Sequence, residues 1–256
     1  MKVSIITATY NSDKNLQRTI DSIADQDYSD IEHIIIDGGS TDDTIQIIES
    51  NKNKISKFIS EKDNGIYDAL NKGIKLATGD IIGFLNSDDV FSNNHAISKI
   101  ASCFEIKKCD VLYGNLVYQT KHNSNPKTVR YWRSNIFHTG CLKYGWMPPH
   151  PTLYCKKTIY DQYGLYNEKF KISADYDFIL RIFKQPEIIK TYYPAVIVKM
   201  NVGGVSNGSI KGIIKKTNED LLALKLNKVG GFYTIVFKYL RKISQLNKIR
   251  NTKFPC

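Results

Sequence analysis

The sequence predicts an α/β protein built on a mixed, mainly parallel sheet flanked by helices. Short apolar segments alternate with amphipathic helical segments over the first third of the chain, the pattern of a parallel sheet with right-handed crossovers. Each apolar segment ends in a polar loop rich in Asp, Asn, Gly or Ser. Because the carboxyl ends of parallel strands lie at the same edge of a sheet, we expect these loops to meet there. The loops are residues 9–13, 37–43, 61–65 and 86–89.

Four predicted strands precede these loops. The second is a nearly continuous apolar run, as a strand covered on both faces requires. Residues that favour helix N-caps follow the first strand, and apolar residues at helical spacing then predict the first helix. Its apolar face consists of Leu16, Ile20 and Ile23. The strands are residues 2–9, 31–36, 55–60 and 81–85.

Two further helices connect the strands. Ser40 and Asp43 have the spacing of a capping box at the start of the second helix, which continues through Ile45 and Ile48. The third helix ends at Gly79, since glycine commonly follows a helix C-terminus. Its predicted apolar face consists of Ile66, Leu70, Ile74 and Ala77.

The second half of the chain predicts a helix, two strands that suit an antiparallel addition, another helix and a last strand. The proline-rich residues 145–152 predict an ordered loop. Residues 201–208 contain three glycines and predict a flexible loop. In order, the regular elements are residues 97–104, 111–119, 129–134, 175–183 and 193–200.

The length of 256 residues suits one domain with an appendage. We expect a catalytic domain over residues 1–208 and a helical tail over residues 209–256. The five cysteines have no Cys-x-x-Cys spacing and no histidine at zinc spacing. Neither a secretory signal nor an apolar run long enough to span a membrane occurs in the sequence. These features predict reduced thiols in a cytoplasmic protein.

Most of the net charge of +11 lies in the tail. Residues 211–256 carry eleven Lys or Arg against Glu219 and Asp220, a net of +9, so the preceding residues are close to neutral. A basic tail on a near-neutral body predicts an anionic surface as partner, either lipid headgroups or nucleic acid.

Within this tail, apolar residues at spacings of three and four form a stripe. A basic amphipathic helix of this kind is typical of membrane interfaces, and we expect peripheral association with the inner face of the cytoplasmic membrane. The alternative is a helix docked on the domain or a dimer contact. Nucleic acid is not expected, because the stripe is continuous and no reading motif accompanies it. The stripe is Phe232, Ile235, Val236, Tyr239, Leu240, Ile243 and Leu246, with Lys238, Arg241, Lys242 and Lys248 off it.

The fourth strand runs directly into Asn86, Asp88 and Asp89. A buried strand is a rigid support for functional groups at its end. Two carboxylates and a carboxamide suit a hard divalent cation, which in turn would hold a diphosphate. The alternative for the acidic pair alone is a solvated turn that caps the next helix.

The order of six motifs resembles the family 2 glycosyltransferases with the GT-A fold, and more narrowly the bacterial members of capsule, exopolysaccharide and lipopolysaccharide assembly. The resemblance covers roughly residues 1–205. The motifs are Thr-Tyr-Asn at 9–11, Asp-Gly-Gly-Ser-Thr-Asp-Asp-Thr at 37–44, Glu-Lys-Asp-Asn-Gly-Ile-Tyr-Asp-Ala-Leu-Asn-Lys-Gly at 61–73, Gly-Phe-Leu-Asn-Ser-Asp-Asp at 83–89, Pro-Pro-His-Pro-Thr at 148–152 and Ala-Asp-Tyr-Asp at 174–177.

This resemblance implies an inverting transfer of a sugar from a nucleotide-diphosphate sugar to a hydroxyl of a glycan or lipid-linked acceptor. It implies that Asp88, supported by Asp89, binds Mn²⁺ or Mg²⁺. Asn86 stands where many members have an Asp, so it would bring a hydrogen bond to a ribose hydroxyl but no charge.

On the donor side, the resemblance implies that Asp37 contacts the nucleobase, with Thr9 and Tyr10 lining the same pocket. Asp63 is expected in the same nucleotide-sugar site. Lys72 is a candidate for neutralising phosphate, although a lysine on a helix is usually solvated.

The resemblance implies that Asp175 is the catalytic base at the start of a helix. Many relatives have Glu before this Asp, where this chain has Ala174. Asp177 is the competing candidate. Because residues two apart on a helix point about 200° from each other, only one of the two faces the donor.

Three aromatic residues are candidates for the acceptor side. Trp146 is predicted either to stack on a sugar ring or to pack in the core. His150 is predicted at the acceptor edge or near the diphosphate, or else as a structural loop residue. Tyr176 is a further candidate for the acceptor side.

Three rival functions compete with this one. A sugar nucleotidyltransferase requires a basic, Gly-rich loop after the first strand, and a dinucleotide dehydrogenase requires Gly-x-Gly-x-x-Gly there. The chain instead has Thr-Tyr-Asn-Ser-Asp-Lys, which disfavours both. A non-catalytic, membrane-tethered sugar-binding module is disfavoured by the intact Asp37, Asp88 and Asp175.

Overall fold

Four parallel strands form one half of the sheet in the computed structural model, which describes residues 1–120, 126–202 and 210–247. Their spatial order is β3-β2-β1-β4. Both pairings of β2 and the pairing of β1 with β4 are parallel, so the predicted parallel sheet is confirmed. The strands are β1 (Val3–Thr9), β2 (Ile31–Asp37), β3 (Lys57–Ser60) and β4 (Ile81–Phe84).

Helices α1 (Leu16–Ala24), α2 (Thr44–Ser50) and α3 (Ile66–Leu76) connect these strands, as predicted. The predicted face of α3 is wrong at its first residue, because the Ile66 side chain is 48% exposed. Position 66 begins the helix at the open edge of the sheet, and the neighbouring Tyr67 is buried instead.

The predicted capping box at the start of α2 is also wrong. The helix begins after Asp43, whose side chain makes no capping hydrogen bond. The Ser40 hydroxyl donates to the carboxylate of Asp37 instead. The loop therefore uses Ser40 for a contact with the end of a strand.

The second half of the chain completes the sheet in the order β8-β6-β9-β5, with β7 on β6. The β6–β7 pair is antiparallel, as predicted, whereas β6 and β9 are parallel. The proline-rich loop contains short 3₁₀ turns. The elements are β5 (Val90–Phe91), α4 (Ala96–Lys107), β6 (Val111–Gln119), β7 (Thr128–Trp132), 3₁₀ turns at Thr139–Tyr144 and His150–Thr152, β8 (Tyr154–Lys156), α5 (Lys157–Tyr163), α6 (Ala174–Phe183) and β9 (Lys190–Asn201).

Two C-terminal helices, α7 (Ile210–Asn227) and α8 (Phe232–Asn247), pack against this body. Leu224 of α7 and Ile235 of α8 belong to the main hydrophobic core. Gly145 lies directly against α8, because a Cβ atom there would be 2.6 Å from the carbonyl oxygen of Thr234. No helix of the described ranges is long and apolar enough to cross a membrane.

Docking of α8 corrects the predicted arrangement of its apolar stripe. Ile235 is buried on the domain, while Phe232, Val236 and Leu240 are exposed. Lys238, predicted on the solvated face, is buried and forms an ion pair of 2.8 Å with Asp220 of α7. The side chains of Ile243 and Leu246, residue Lys248 and most of the predicted loop at residues 201–208 lie outside what the structure describes.

We expect Lys238→Ala to lower the free energy of unfolding by about 3–5 kcal/mol, because it leaves the buried Asp220 carboxylate without its cation. Urea unfolding of the wild type and the variant measures this difference. The double variant Lys238→Met, Asp220→Leu removes both charges and is expected to recover most of the loss. Equal destabilisation by the single and double variants would contradict this account of the pair.

Candidate functional site

The strand-end loops meet at one edge of the sheet, as predicted. The backbone N–H of Asn11 donates to the Ser40 hydroxyl at 2.8 Å, which joins the loops after β1 and β2. The hydroxyls of Ser12 and Ser87 lie 2.9 Å apart and join the loops after β1 and β4. This edge is therefore a single polar surface built from distant parts of the chain.

Asp37 organises the loop that follows β2. Its carboxylate is fully buried and accepts hydrogen bonds from the backbone N–H groups of Gly39 and Ser40 at 3.0 Å. The hydroxyls of Ser40 and Ser60 also donate to it. Because groups of the described loops already donate several hydrogen bonds to this carboxylate, its contact with a nucleobase stays a prediction.

Other predicted donor-side residues surround this loop. Asp63 lies against Gly38, since a Cβ atom on that glycine would be 2.5 Å from a carboxylate oxygen of Asp63. The Thr9 hydroxyl is buried and has no hydrogen-bond partner among the described residues. The Tyr10 ring is 61% exposed beside it. The structure thus brings an unsatisfied hydroxyl and an open aromatic ring to the Asp37 loop.

Lys72 is already paired. Its ammonium nitrogen lies 2.7 Å from a carboxylate oxygen of Glu61 and 3.3 Å from one of Asp68. The hydrogen bond with Glu61 is the main cause of the raised pKa of Lys72. To contact a phosphate, Lys72 would have to leave two carboxylates, so the structure gives the predicted phosphate contact no support.

The two carboxylates after β4 have different surroundings. Asp88 is half-buried at the edge, whereas Asp89 is fully buried. Asp89 accepts from the side-chain amide of Asn86 at 2.7 Å and from the backbone N–H of Asn201 at 3.3 Å. Burial, followed by the charge of Asp88, raises the pKa of Asp89 to about 8.

These contacts bear on two predictions. Asp89 faces inward and holds the turn, so it does not stand beside Asp88 as a second metal ligand. The side-chain amide of Asn86 likewise donates to Asp89, and its hydrogen bond to a ribose hydroxyl stays a prediction. Asp88 is the carboxylate of this motif that remains at the edge.

The described residues contain no group of three or more His, Cys, Asp or Glu side chains arranged to hold a metal ion. A hard cation such as Mg²⁺ is, however, often bound through one or two carboxylates together with substrate phosphates. Asp88 at the strand end therefore suits a cation that is shared with substrate phosphates. It does not suit a cation held by protein ligands alone.

Asp175 and Asp177 lie in the first turn of α6. Asp175 is half-buried and accepts from the Tyr67 hydroxyl at 3.2 Å through Oδ1. Among the described residues, no hydrogen bond to its other oxygen is found. Asp177 is buried and is bound by Arg181 at 2.7 Å and by the side-chain amide of Asn227 at 2.8 Å. Asp175 is therefore available for chemistry, whereas the carboxylate of Asp177 is engaged in structural hydrogen bonds.

Of the two alternatives for Trp146, packing in the core is confirmed, whereas the acceptor-side placement of Tyr176 is wrong. Trp146 is 4% exposed, and its indole N–H donates to the side-chain oxygen of Asn135 at 2.6 Å. Tyr176 is fully buried, and the Lys238 ammonium lies 3.3 Å from its ring centroid. Both rings are therefore covered by neighbouring protein.

His150 is half-buried and packs against aromatic side chains. Its ring stacks on Phe84, and Nε2 lies 2.8 Å from the Tyr166 hydroxyl. Burial lowers the pKa of His150, and the charge of Asp175 partly offsets this effect. A role at the acceptor edge stays a prediction.

Sequence reasoning missed Tyr67. Its hydroxyl donates to Asp175 and to the backbone carbonyl of Ile172 at 2.7 Å. A signal was present, because Tyr67 lies inside the motif at residues 61–73. Its contact with α6 depends on tertiary packing between segments more than a hundred residues apart.

The chain is similar to known glycosyltransferases. The family model described as glycosyl transferase family 2 matches residues 4–164. The chain is 32% identical over 232 residues to WfaP of Escherichia coli, a UDP-Glc:alpha-D-GlcNAc-diphosphoundecaprenol beta-1,3-glucosyltransferase. That match covers 84% of each chain.

Two solved structures share the fold. TarS of S. aureus, in a crystal structure of residues 1–349 with UDP-GlcNAc, has a TM-score of 0.68 at 20% identity, covering 89% of this chain and 65% of that chain. The chain spans 43% of the longer TarS structure. The mannosyltransferase PcManGT from Pyrobaculum calidifontis, solved with GDP-Man and Mn²⁺, has a TM-score of 0.63 at 15% identity, covering 99% of this chain and 66% of that chain.

Proposed function

This chain belongs to glycosyl transferase family 2 and has its GT-A fold, and from that premise we propose that it transfers a sugar from a nucleotide-diphosphate sugar to an acceptor hydroxyl with inversion at the anomeric carbon. The observation that carries the proposal is Asp175, a partly exposed carboxylate at the start of α6 with an oxygen that no described residue engages.

In the proposed reaction, Asp175 acts as the general base. It accepts the proton of the acceptor hydroxyl while that oxygen attacks the anomeric carbon, on the face opposite the leaving diphosphate. The Tyr67 hydroxyl donates to Asp175 and orients it. Attack from the opposite face inverts the configuration of the anomeric carbon.

We propose that the edge loops bind the donor. The exposed Tyr10 ring offers a stacking surface to the nucleobase, beside Thr9, Asp37 and Asp63. Asp88 would hold a divalent cation, which when bound neutralises the charge of the leaving diphosphate. The neighbours solved with UDP-GlcNAc, and with GDP-Man and Mn²⁺, support a nucleotide-sugar donor and such a cation.

We propose a lipid-linked or growing surface glycan as acceptor. The name of the WfaP relative specifies a diphosphoundecaprenol-linked sugar, which supports an acceptor of this class. Such an acceptor lies at a membrane, so a peripheral position on the inner face of the cytoplasmic membrane follows. In this proposal residues 1–208 form the catalytic domain and residues 209–256 form a helical tail that contacts both the domain and the lipid.

Exposed side chains on both C-terminal helices support the membrane contact. Apolar groups on α7 and α8 face away from the core, and exposed basic side chains accompany them. A surface of this composition suits an anionic lipid interface. The apolar groups are Ile213, Ile214, Leu222, Leu226, Phe232, Tyr233, Val236, Phe237 and Leu240. The basic residues are Lys211, Lys215, Lys225 and Arg241.

The test of the activity is incubation with a panel of nucleotide sugars, Mn²⁺ and lipid-linked acceptor glycans. We expect nucleoside diphosphate to be released and one sugar to be added to the acceptor, with a stereochemistry opposite to that of the donor. Release of pyrophosphate from a nucleoside triphosphate and sugar phosphate would indicate a nucleotidyltransferase instead. Binding without turnover across the panel would indicate a non-catalytic module.

A separate prediction concerns the lipid surface. We expect the protein to sediment with vesicles containing phosphatidylglycerol, and binding to weaken but persist as salt rises, because salt screens the basic residues but not apolar contacts. Replacing Phe232, Val236 and Leu240 together by Ser should reduce the salt-resistant part. These side chains are exposed, Phe232 to 71%, so the fold is expected to be retained.

Ile106→Ser is the matched control, because Ile106 is an exposed apolar residue on α4, away from the tail. It should leave vesicle binding unchanged. Absence of vesicle binding in the wild type would contradict the membrane proposal. If the triple variant instead halves the mass measured by light scattering, the face is a dimer contact.

A further inference from the structure

Glu219, a residue of helix α7, reaches the segment that leads into α6. Its carboxylate accepts hydrogen bonds from three successive backbone N–H groups, those of Lys171 at 3.1 Å, Ile172 at 2.8 Å and Ser173 at 3.0 Å. Hydrogen bonds to an ionised acceptor are stronger than neutral ones. One side chain of the appended helix therefore holds the whole turn before α6.

The same turn is held from its other side by Tyr67. The Tyr67 hydroxyl donates to the carbonyl oxygen of Ile172 at 2.7 Å and to Asp175 at 3.2 Å. The turn then passes into α6 through the hydrogen bond from the N–H of Asp177 to the carbonyl of Ser173. Asp175 thus lies two residues after a backbone segment whose position is set by Glu219 and Tyr67.

Asp220, the next residue of α7, strengthens this attachment. It pairs with Lys238 of α8, whose ammonium lies over the ring of Tyr176, the residue after Asp175. Glu219 and Asp220 are the only acidic residues among residues 211–256. Both are used to hold the start of α6, which indicates a specific function for acidic residues in an otherwise basic tail.

We propose that Glu219 is a positioning residue for the transfer reaction, acting on Asp175 through the backbone of residues 171–173. This inference rests on the proposed function, because it needs Asp175 as the base. Glu219 itself is a poor base candidate, since both of its oxygens accept backbone hydrogen bonds. The C-terminal helix α7 is then part of the catalytic apparatus as well as a docking element.

Loss of the Glu219 carboxylate should displace Asp175 without altering the donor loops. A misplacement of about 1 Å at a reacting group can cost roughly 10²-fold in rate. We therefore expect Glu219→Ala to lower kcat by a factor on the order of 10², with donor KM and nucleotide affinity unchanged. Glu219→Gln keeps one acceptor oxygen, so its kcat should lie between those of Glu219→Ala and the wild type. Asn218→Ala, an exposed neighbour on α7, is the matched control and should retain full activity.

A double-mutant cycle with Asp175→Asn separates positioning from general stabilisation. If Glu219 acts through the base, Glu219→Ala should cost little further turnover once Asp175 cannot accept a proton. Multiplicative losses in the double variant would overturn the inference. So would parallel loss of nucleotide affinity and kcat in Glu219→Ala, because this indicates a general loss of structure.

The outcomes also separate the two proposals. If Asp175→Asn is slow but Glu219→Ala and Glu219→Gln are as fast as the wild type, the positioning role is wrong and the proposed function stands. If Asp175→Asn keeps its turnover, the base assignment itself fails. Should Glu219→Ala not fold, Glu219→Gln supplies the cycle, with the melting temperature of each variant measured beside its kinetics.

Discussion

Asp175→Asn is expected to lower turnover by a factor on the order of 10² to 10⁴ while donor affinity is retained. Asparagine keeps the shape of the side chain and its hydrogen bond from the Tyr67 hydroxyl, which lies 3.2 Å from Asp175 Oδ1 in the wild type. It cannot accept the proton of the acceptor hydroxyl. Steady-state kinetics with saturating acceptor, together with nucleotide binding by calorimetry, measure the two effects separately.

Asp177→Asn is the matched comparison on the same helix. Asp177 is buried and paired with Arg181 and Asn227, so its replacement should reduce thermal stability more than chemistry. If Asp177→Asn loses turnover with donor binding intact, and Asp175→Asn does not, the assignment of the base is wrong.

Asp88→Ala is expected to abolish transfer and to remove the effect of Mn²⁺ on the binding of nucleoside diphosphate. Asp88 is the carboxylate of its motif at the open edge, and a cation shared with a diphosphate needs such a protein ligand. Calorimetric titration of nucleoside diphosphate with Mn²⁺ and with EDTA measures the metal contribution without relying on activity. In the wild type, EDTA should reproduce the weak binding of the variant.

Asp89→Asn is the control for this prediction. Burial raises the pKa of Asp89 to about 8, and its carboxyl group lies in contact with Asn86 and Asn201 rather than at the edge. The neutral, isosteric Asn should therefore keep metal-dependent nucleotide binding. Full activity of the wild type in excess EDTA would contradict the metal assignment, and loss of the metal effect in Asp89→Asn would contradict the inward role of Asp89.

Much of the donor edge could be predicted from local patterns. Apolar runs followed by polar loops predicted the parallel strands, and the chirality of the crossovers then requires their loops to share an edge. The contact between Ser12 and Ser87 confirms that consequence. The capping box failed because Ser40 had two available partners, its own helix and Asp37, and local spacing does not rank them.

The choice between Asp175 and Asp177 needed the folded chain. Both residues lie in the first turn of one helix, and sequence periodicity establishes only that they point in different directions. Asp177 accepts a hydrogen bond from Asn227, which lies fifty residues later in the chain, on α7. Asp175 accepts a hydrogen bond from Tyr67, which lies earlier in the chain, on α3. Neither neighbour could be assigned without the packing of α3, α6 and α7.

The C-terminal tail shows the same division. The sequence by itself determined that the tail is helical, basic and amphipathic, since the spacing of apolar residues decides which side chains share a face. Only the tertiary structure decided that Ile235 and Lys238 are covered by the domain while Phe232, Val236 and Leu240 stay exposed. The physical reason is that burial depends on the surface a helix meets. Here that surface includes Gly145 and Asp220, residues whose nearness to α8 no local pattern specifies.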